Sequence, residues 1–343
     1  MKKVVIRRPG SYDRLRIESH PDPTPGNDEV VIKVEAIGVN YADCVTRMGL
    51  YASARRYVGY PVTPGFEVAG HVASAGTQVD DIKAGDPVMA VTRFGGYTSD
   101  LCVKRDQVFA LSPDMKMNEA AAFPTAFLTA WFGLFELAHP HAGDTILVHS
   151  AAGGVGGALI QLGKIAGCRV IGVVGNPHKV APAMELGADA IIEKSTQPLW
   201  PSAETYAPTG YDVILDANGV STLRGSYAHL APVGKLVIYG FHSMLPRAGG
   251  RPRWLKLAWD YLRTPRFNPL KLTTENRSVL GFNLSFLFDR SALLRGAMEQ
   301  LLQWRAEGRI RAPRITAYPF EKVAQAHRDL ESGQTAGKLV LRL

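Results

Sequence analysis

One stretch of the chain reads Thr145-Ile146-Leu147-Val148-His149-Ser150-Ala151-Ala152-Gly153-Gly154-Val155-Gly156-Gly157. Its first five residues form an apolar run typical of a buried strand, and an apolar helix is predicted to begin near Ala158. Small residues between a strand and a helix let the backbone approach a pyrophosphate, which the positive N-terminal end of the helix attracts. Regular structure on both sides argues against a flexible linker. The stretch therefore predicts a dinucleotide-binding turn.

Further apolar runs follow this turn, and helical segments separate them. The runs occupy residues 169–174, 190–192, 212–215, 235–239 and 278–282. Continuous Val/Ile/Leu strands that alternate with helices are typical of a parallel sheet covered on both faces. This part of the chain therefore predicts a doubly wound α/β domain.

The first part of the chain has a different pattern, because short β-rich runs alternate with Gly and Pro there. These runs occupy residues 30–39, 67–75, 87–91 and 101–103. They predict a mostly β domain, to which a last strand at 337–341 returns after a helix at 291–307. We expect this domain to comprise residues 1–122 and 289–343, and the doubly wound domain to comprise residues 123–288.

The chain has the composition of an ordinary folded protein, with 343 residues, 46% hydrophobic and 20% charged. No segment approaches the roughly 20 consecutive apolar residues of a membrane span, and the N-terminus lacks a signal-peptide pattern. Cys44, Cys102 and Cys168 are scattered and odd in number, so we expect free thiols. These features predict a cytoplasmic protein.

Residues 241–275 fit neither pattern and form a basic, aromatic insertion. Seven Lys/Arg against two acids give it +5 of the net charge of +8. Its four prolines restrict any amphipathic helix to a short segment near residues 254–262. The insertion is open to three interpretations: a lid over a cleft, a subunit contact, or reversible contact with an anionic membrane surface. Nucleic acid is not expected as a partner, because no recognised binding motif accompanies the charge.

The strand that follows the glycine turn ends without an acid. An NAD-binding enzyme presents Asp or Glu to the ribose hydroxyls about 20 residues beyond the glycines. Here Gly175 follows the strand, with Lys179 just beyond it and Lys194 after the third strand. Lysine suits a 2′-phosphate, which a carboxylate would repel, so the sequence favours NADPH. The alternative for either lysine is a solvated surface charge.

Several motifs resemble those of the medium-chain dehydrogenase/reductase superfamily, and the resemblance extends over nearly the whole chain. They are Gly65-Phe66-Glu67-Val68-Ala69-Gly70, Gly85-Asp86-Pro87-Val88, the glycine turn and Gly337-Lys338-Leu339-Val340. The resemblance implies a GroES-like, mostly β catalytic domain, a Rossmann cofactor domain and a cleft between them.

Zinc enzymes of this superfamily hold a catalytic zinc through a Cys of the first domain and a His in a Gly-His-Glu motif. The corresponding positions here are Asn40 and Phe66, whose side chains do not replace thiolate or imidazole. The four-cysteine cluster of the structural zinc is missing too. We therefore expect no metal.

Asn40, Asp43, Gly49 and Tyr51 resemble the zinc-independent quinone oxidoreductase branch, whose members use NADPH. The basic insertion and the segments 276–284 and 319–323 resemble most closely the vesicle amine transport protein homologue group.

The resemblance also implies a set of site residues. Those expected to contact the cofactor are Asn40, Tyr51, Thr129, Ala152, Gly153, Gly154, Val155, Gly156, Gly175, Lys179, Lys194, Asn218, Tyr239, Gly240, Phe241, Phe282, Asn283, Leu284 and Lys338. Tyr51 and Asn40 are also the expected catalytic residues. Tyr51 matches the proton-donating Tyr of 2-enoyl thioester reductases, with solvent as the alternative donor.

Two of these expectations have a structural alternative. Asn40 offers its amide to a carbonyl or ribose oxygen, or it caps the loop that follows. Thr129 meets the nicotinamide edge, or it is an ordinary helix residue. His71 and His149 are expected to be hydrogen-bonded strand residues and not ligands.

The sequence as a whole predicts an NADPH-dependent reductase of quinones or α,β-unsaturated carbonyl compounds, working as a homodimer. One alternative keeps the nucleotide site but makes the protein a membrane- or lipid-interacting module with little catalytic activity. A further alternative is a 2-enoyl thioester reductase.

Overall fold

The computed structural model describes residues 1–343 and begins with a largely β region. Its strands and helices up to residue 122 are β1 (Lys2–Val5), β2 (Arg16–Ser19), β3 (Glu29–Val39), α1 (Tyr41–Arg47), α2 (Ala52–Tyr57), β4 (Glu67–Ala75), β5 (Pro87–Val91), β6 (Asp100–Lys104), β7 (Val108–Ala110) and α3 (Met117–Ala122).

Helices and strands alternate through the rest of the chain. The elements as far as the insertion are α4 (Pro124–Trp131), β8 (Thr145–His149), α5 (Gly154–Ile165), β9 (Arg169–Val174), α6 (Val180–Glu185), β10 (Ala190–Glu193), α7 (Leu199–Tyr206), β11 (Tyr211–Asp216), α8 (Leu223–Ala228) and β12 (Leu230–Ile238). The remaining elements are α9 (Trp254–Arg263), α10 (Pro269–Glu275), β13 (Ser278–Gly281), α11 (Ser291–Ala306), β14 (Ile315–Pro319), α12 (Val323–Ser332) and β15 (Lys338–Arg342). None of the helices is both long enough and apolar enough to cross a lipid bilayer.

The six-stranded sheet is parallel throughout, with the strand order β10-β9-β8-β11-β12-β13. Neighbouring side chains of a strand point to opposite faces. Accordingly, Ile146 and Val148 of β8 pack in one apolar core, whereas Leu147 packs in another. The predicted doubly wound domain is confirmed. The strand order reverses between β8 and β11, and ligands of such sheets bind outside the carboxyl ends of the strands at this point.

The other large sheet, called the first sheet below because it contains β3 to β7, has the order β14-β15-β3-β4-β5-β7, with β6 also paired to β3. Strand β15 lies between β14, to which it is parallel, and β3, to which it is antiparallel. The last strand thus returns to the first sheet, as the sequence predicts for residues 337–341. The domain boundaries at 122/123 and 288/289 stay predictions.

The helix after the glycine turn begins earlier than the sequence predicts. Helix α5 starts at Gly154, four residues before Ala158, and Gly153 precedes it with an extended backbone. A Cβ on Gly156 would lie 2.2 Å from the carbonyl oxygen of Ser150, so only glycine fits where the helix crosses the end of β8. The start near Ala158 is wrong because these glycines serve close packing of the helix.

The insertion contains the short amphipathic helix that its sequence predicts, ending one residue later, at Arg263. The orientation of this helix is unusual. Asp260 is buried and pairs with Lys256, and Leu257 is half-buried, whereas the other large apolar side chains of the helix face solvent. The exposed apolar residues are Trp254, Leu255, Trp259, Tyr261 and Leu262.

Candidate functional site

A cavity of about 1250 Å³ lies between the first sheet and the carboxyl ends of the parallel strands. Every residue that the sequence predicts for the site lines it, from Asn40, Tyr51 and Lys338 near the first sheet to Lys194 after the parallel strand β10. Ligand pockets commonly measure about 300–1000 Å³, so this cavity has room for a dinucleotide and a small substrate together.

The glycine turn forms one wall of the cavity. Ser150, which directly follows β8, has a left-handed backbone with φ of 56°, which is rare for a residue with a side chain and marks a constrained turn. Gly337 donates its N–H to the carbonyl of Ala152 at 2.8 Å, so the start of β15 holds the turn in place. The first amides of α5 have no partner within the helix, as an anion-binding turn requires.

Cations gather where β9 and β10 end. Lys179, Lys194 and Arg247 all line the cavity there. Desolvation, and then the repulsion of the neighbouring Arg247 charge, lowers the pKa of both lysines. The negative charge of Asp216 raises the pKa of Lys194 and so opposes these two effects. The carboxylate of Asp216 already accepts hydrogen bonds from four other residues, Asn218, Gly219, Thr222 and Ser226. This end of the cavity therefore suits a phosphate group.

A buried polar network holds Asn40. The ammonium of Lys338 donates to the carbonyl of Val39 at 3.2 Å, to Oδ1 of Asn40 at 2.7 Å and to Oε1 of Glu67 at 2.7 Å. The amide nitrogen of Asn40 donates in turn to Oε1 of Glu67 at 2.8 Å. An amide has two N–H groups, so one remains for a ligand. Asn40 also caps α1, because its backbone N–H donates to Asp43.

This network does not fit a catalytic zinc. At the two positions expected from zinc enzymes stand an amide, Asn40, and an apolar ring, Phe66, and Phe66 is buried against Tyr51 and Phe94. The Lys338 ammonium lies beside both Asn40 and Glu67, where a second cation would be repelled. Zinc binds thiolate, imidazole and carboxylate ligands. Asn40 and Phe66 offer none of these groups, and the carboxylate of Glu67 already accepts hydrogen bonds from Lys338 and Asn40.

Tyr51 joins the two sides of the cavity. Its hydroxyl donates to Oδ1 of Asn283 at 3.0 Å, and its ring packs edge-on against Phe66 and Phe94. Burial raises the pKa of Tyr51, so the hydroxyl keeps its proton at neutral pH. The phenol is therefore a hydrogen-bond donor at the substrate end of the cavity.

Other predicted residues line the same end. Phe282 packs between Phe132 and Tyr239, and the Tyr239 hydroxyl is buried without a hydrogen-bond partner. A buried polar atom without a partner in a cavity wall suits a polar ligand. Thr129 lines the cavity but donates to the carbonyl of Thr125 at 2.7 Å, as a helix residue does. Leu284 follows at the same wall.

The predicted strand histidines differ in their contacts. His149 lies 3.1 Å from the Ser226 hydroxyl and is hydrogen-bonded as predicted. Nδ1 of His71 lies 2.8 Å from Oε1 of Glu35. That neither histidine is a ligand stays a prediction.

The structure adds residues that the sequence does not indicate. Arg247 and Glu67 join the site, and the ring of His242 lies 4.2 Å from that of Tyr41, centre to centre. In the sequence, Arg247 is only one of seven cations of the insertion, and nothing distinguishes it as a site residue. Glu67 belongs to the Gly-Phe-Glu motif, but the motif does not predict that Glu67 contacts Asn40. The fold brings these residues together from distant parts of the chain, so their spacing in the sequence does not predict that they lie in one site.

One buried cluster has ligand types that bind metals: Cys44, His327 and Glu331. Sγ of Cys44 lies 3.5 Å from Nδ1 of His327. Both carboxylate oxygens of Glu331 already accept hydrogen bonds, one from Arg47 and one from Tyr12, each at 2.7 Å. The buried guanidinium of Arg47 compensates the carboxylate and disfavours a metal cation beside it.

Comparisons with known proteins agree with this architecture. Residues 26–126 match the family described as alcohol dehydrogenase GroES-like domain, and residues 186–341 match the family described as zinc-binding dehydrogenase. The human synaptic vesicle membrane protein VAT-1 homologue is 33% identical, over 99% of this chain and 86% of the relative.

Solved structures show the same fold. The Escherichia coli quinone oxidoreductase complexed with NADPH is 26% identical and matches with a TM-score of 0.86, over 100% of both chains. CurK enoyl reductase is also 26% identical, with a TM-score of 0.86 over 99% of this chain and 98% of that one. The predicted GroES-like and Rossmann domains are confirmed. The chain therefore belongs to the medium-chain dehydrogenase/reductase superfamily and, within it, to the group of the VAT-1 homologues.

Proposed function

We propose that the protein is a zinc-independent, NADPH-dependent reductase of quinones or α,β-unsaturated carbonyl compounds. The observation that supports this most is the cavity itself. A glycine turn and cations without a free acid line one end, and Tyr51 and Asn40 line the other, where Phe66 replaces a zinc ligand. The superfamily membership shown above makes an oxidoreductase the expected class of enzyme.

The cavity residues fit NADPH. The glycine turn and the first amides of α5 would hold the pyrophosphate, and Lys179 and Lys194 would hold the 2′-phosphate. The unpartnered hydroxyl of Tyr239 and the loop from Phe282 would adjoin the nicotinamide. When bound, the cofactor supplies the hydride, so the protein itself has to position the substrate and polarise it.

Two donors can serve the substrate oxygen once Tyr51 turns its single O–H from Asn283 to the substrate. The Tyr51 hydroxyl is neutral, and the second N–H of Asn40 is free of protein partners. When a carbonyl oxygen accepts hydrogen bonds from both donors, electron density shifts towards that oxygen. The β carbon of the conjugated system then becomes more electrophilic, which favours addition of the hydride there. Lys338 and Glu67 act through Asn40, because they fix the orientation of its amide.

Cofactor binding is tested by fluorescence titration of the protein with NADPH and NADH. We expect NADPH to bind at least about tenfold more tightly, as a charge-assisted contact to the 2′-phosphate implies. A preference for NADH, or no binding of either, contradicts the proposal.

The substrate class is tested by NADPH oxidation with quinones, enones and enoyl thioesters in parallel. Turnover of quinones or enones supports the proposal. Turnover of enoyl thioesters alone favours the 2-enoyl thioester reductase, an activity that the name of CurK enoyl reductase suggests for that relative. Tight NADPH binding without turnover of any of the three favours a non-catalytic nucleotide-binding protein.

The exposed face of α9 favours reversible membrane contact as a second function. Leu255 is 90% exposed and Trp254 66% exposed, and Leu270 of α10 lies exposed nearby in the chain. Arginines flank these residues on both sides, at positions 251, 253, 263 and 266. Exposed Trp and Leu next to cations suit the interface of an anionic bilayer. The relatives named synaptic vesicle membrane proteins agree with this proposal.

Membrane contact is tested by flotation with phosphatidylserine or phosphatidylcholine vesicles. We expect salt-sensitive binding to the anionic vesicles, and its loss in a Trp254→Ser/Leu255→Ser variant. Val233→Ser is the control, because Val233 is exposed and apolar but lies outside the insertion. Equal flotation of all three proteins, or none with wild type, contradicts membrane contact through α9.

A further inference from the structure

The first ten residues of the insertion, 241–250, form a strap across the cavity. At its start, the backbone N–H of His242 donates to the carbonyl of Ala217 at 3.1 Å, and that of Ser243 donates to Asn218 at 2.9 Å. Met244 and Leu245 then line the cavity. The strap thus begins on the loop after β11 and continues over the site.

The far end of the strap is fixed to the first domain. The Ser11 hydroxyl donates to the carbonyl of Gly249 at 3.0 Å, and the buried guanidinium of Arg47 donates to that of Gly250 at 3.1 Å. Gly250 has φ of +63°, and a Cβ there would lie 2.8 Å from the ring of Tyr12. Both ends of the strap are therefore anchored, one on each domain.

Arg247 lies between these anchors and lines the cavity with Lys179 and Lys194. Within the insertion, Lys256 pairs with Asp260 and Lys271 with Glu275, whereas Arg247 and the four other arginines have no carboxylate partner. Of these five arginines, only Arg247 lines the cavity. Desolvation is the largest cause that lowers the pKa of both lysines, and the charge of Arg247 is the next largest. Three cations that repel one another without a free acid are stabilised when an anion enters between them.

We propose that Arg247 is a specificity-determining residue that binds the 2′-phosphate of NADPH, so that the strap closes over the phosphorylated cofactor. The inference rests on the proposed NADPH-dependent function and extends it, since it assigns the first part of the insertion to cofactor selection. A planar guanidinium forms paired hydrogen bonds to phosphate oxygens, which a lysine does not. NADH lacks this phosphate and leaves Arg247 without a ligand.

The test measures binding of adenosine 2′,5′-bisphosphate and of 5′-AMP by calorimetry, because these two probes differ only in the 2′-phosphate. In Arg247→Gln we expect affinity for the bisphosphate to fall about 10- to 100-fold, while affinity for 5′-AMP changes less than about threefold. Arg247→Lys should retain part of the difference. Arg251→Gln is the matched control, because Arg251 is an exposed arginine of the insertion that does not line the cavity.

The outcomes separate this inference from the cofactor proposal. If wild type binds the bisphosphate no more tightly than 5′-AMP, the NADPH proposal fails. If wild type discriminates but Arg247→Gln discriminates equally well, the role of Arg247 is overturned and the cofactor proposal stands. Hydrogen exchange gives a second readout: the bisphosphate should protect amides of residues 241–250 in wild type and not in Arg247→Gln. Equal protection in both proteins overturns closure of the strap through Arg247.

Discussion

The hydroxyl of Tyr51 donates a hydrogen bond across the cavity to Asn283. Two phenylalanines, Phe66 and Phe94, pack against its ring. Tyr51→Phe keeps the ring and removes only the hydroxyl. We expect kcat with an enone or quinone to fall at least about 10-fold, with NADPH affinity nearly unchanged, because the donor to the substrate oxygen is lost. Steady-state kinetics and a cofactor titration measure the two effects.

Tyr57→Phe is the control for this change, because Tyr57 packs beside Phe286 and does not line the cavity. It should turn over like wild type. If Tyr51→Phe also keeps full kcat, Tyr51 only positions the substrate, and solvent supplies the proton.

Lys338 and Glu67 form a buried ion pair, with side chains 4% and 0% exposed. Lys338→Met leaves the Glu67 carboxylate buried without its cation. We expect the free energy of unfolding in urea to fall by about 3–5 kcal/mol. The double variant Lys338→Met/Glu67→Gln should recover part of this loss, because no charge then remains buried. A loss below about 1 kcal/mol in the single variant would contradict the role of the pair.

His327 is fully buried between Cys44 and Tyr97. Desolvation, and then the charge of Arg47, lowers its pKa well below the ordinary value of 6.5. The unfolded chain binds a proton that the folded chain rejects, so stability is lost as the pH falls below about 6.5. In His327→Gln the free energy of unfolding should depend less on pH between about 5 and 7 than in wild type. The exposed His141 gives the control variant, His141→Gln, and an unchanged slope in His327→Gln would refute the assignment.

At the residue scale, local spacing in the sequence finds some residues of the site and misses others. The glycines and Lys194 follow strands at fixed offsets, so local spacing is enough to find them. Arg247 and Glu67 reach the site through the strap and through β4, and their contacts are all distant in sequence. For these residues the decisive information is three-dimensional.

At the element scale, Gly156 is the most constrained residue of the turn between β8 and α5. Gly156→Ala brings a Cβ within 2.2 Å of the Ser150 carbonyl oxygen, and backbone cannot move aside at low cost. We expect a loss of about 1–3 kcal/mol of stability and loss of NADPH binding. Thermal unfolding and titration measure both.

Gly296→Ala is the control for Gly156→Ala. Gly296 lies within α11, and a Cβ there meets nothing within 4 Å. This variant should gain about 0.5–1 kcal/mol, because alanine favours helix. If both variants behave alike, close packing at Gly156 is not the reason for that glycine.

The elements also show where sequence reasoning fails. The strands of the parallel sheet are long apolar runs, so their positions follow from the sequence to within a few residues. The start of α5 does not, because glycines that disfavour helix in isolation are required there by packing against β8. The spacing of apolar residues in α9 predicts an amphipathic helix. It does not predict that most of the apolar side chains are exposed, since the spacing alone does not indicate which face of a helix packs against the protein.

At the scale of the whole molecule, the predicted homodimer has two candidate contacts. Strand β13 is the edge of the parallel sheet and pairs only with β12, which leaves its other side open. The exposed face of α9 is the second contact. Light scattering should give twice the chain mass of 37.3 kDa. A Trp254→Ser/Leu255→Ser variant that stays dimeric favours β13, one that dissociates favours α9, and a monomeric wild type contradicts the dimer.

Strand β15 is an internal strand of the first sheet, although Lys338 at its start follows Val39 of its partner β3 by 299 residues. During translation, β3 leaves the ribosome long before β15, and its residues Ala36–Val39 must wait for that strand before they are paired on this side. The parallel sheet, complete at Gly281, is free to fold in the meantime. An interrupted chain that stops before β15 would keep its glycine turn but expose the unpaired side of β3, a template for aggregation. Translation must therefore reach β15 before the first sheet is closed.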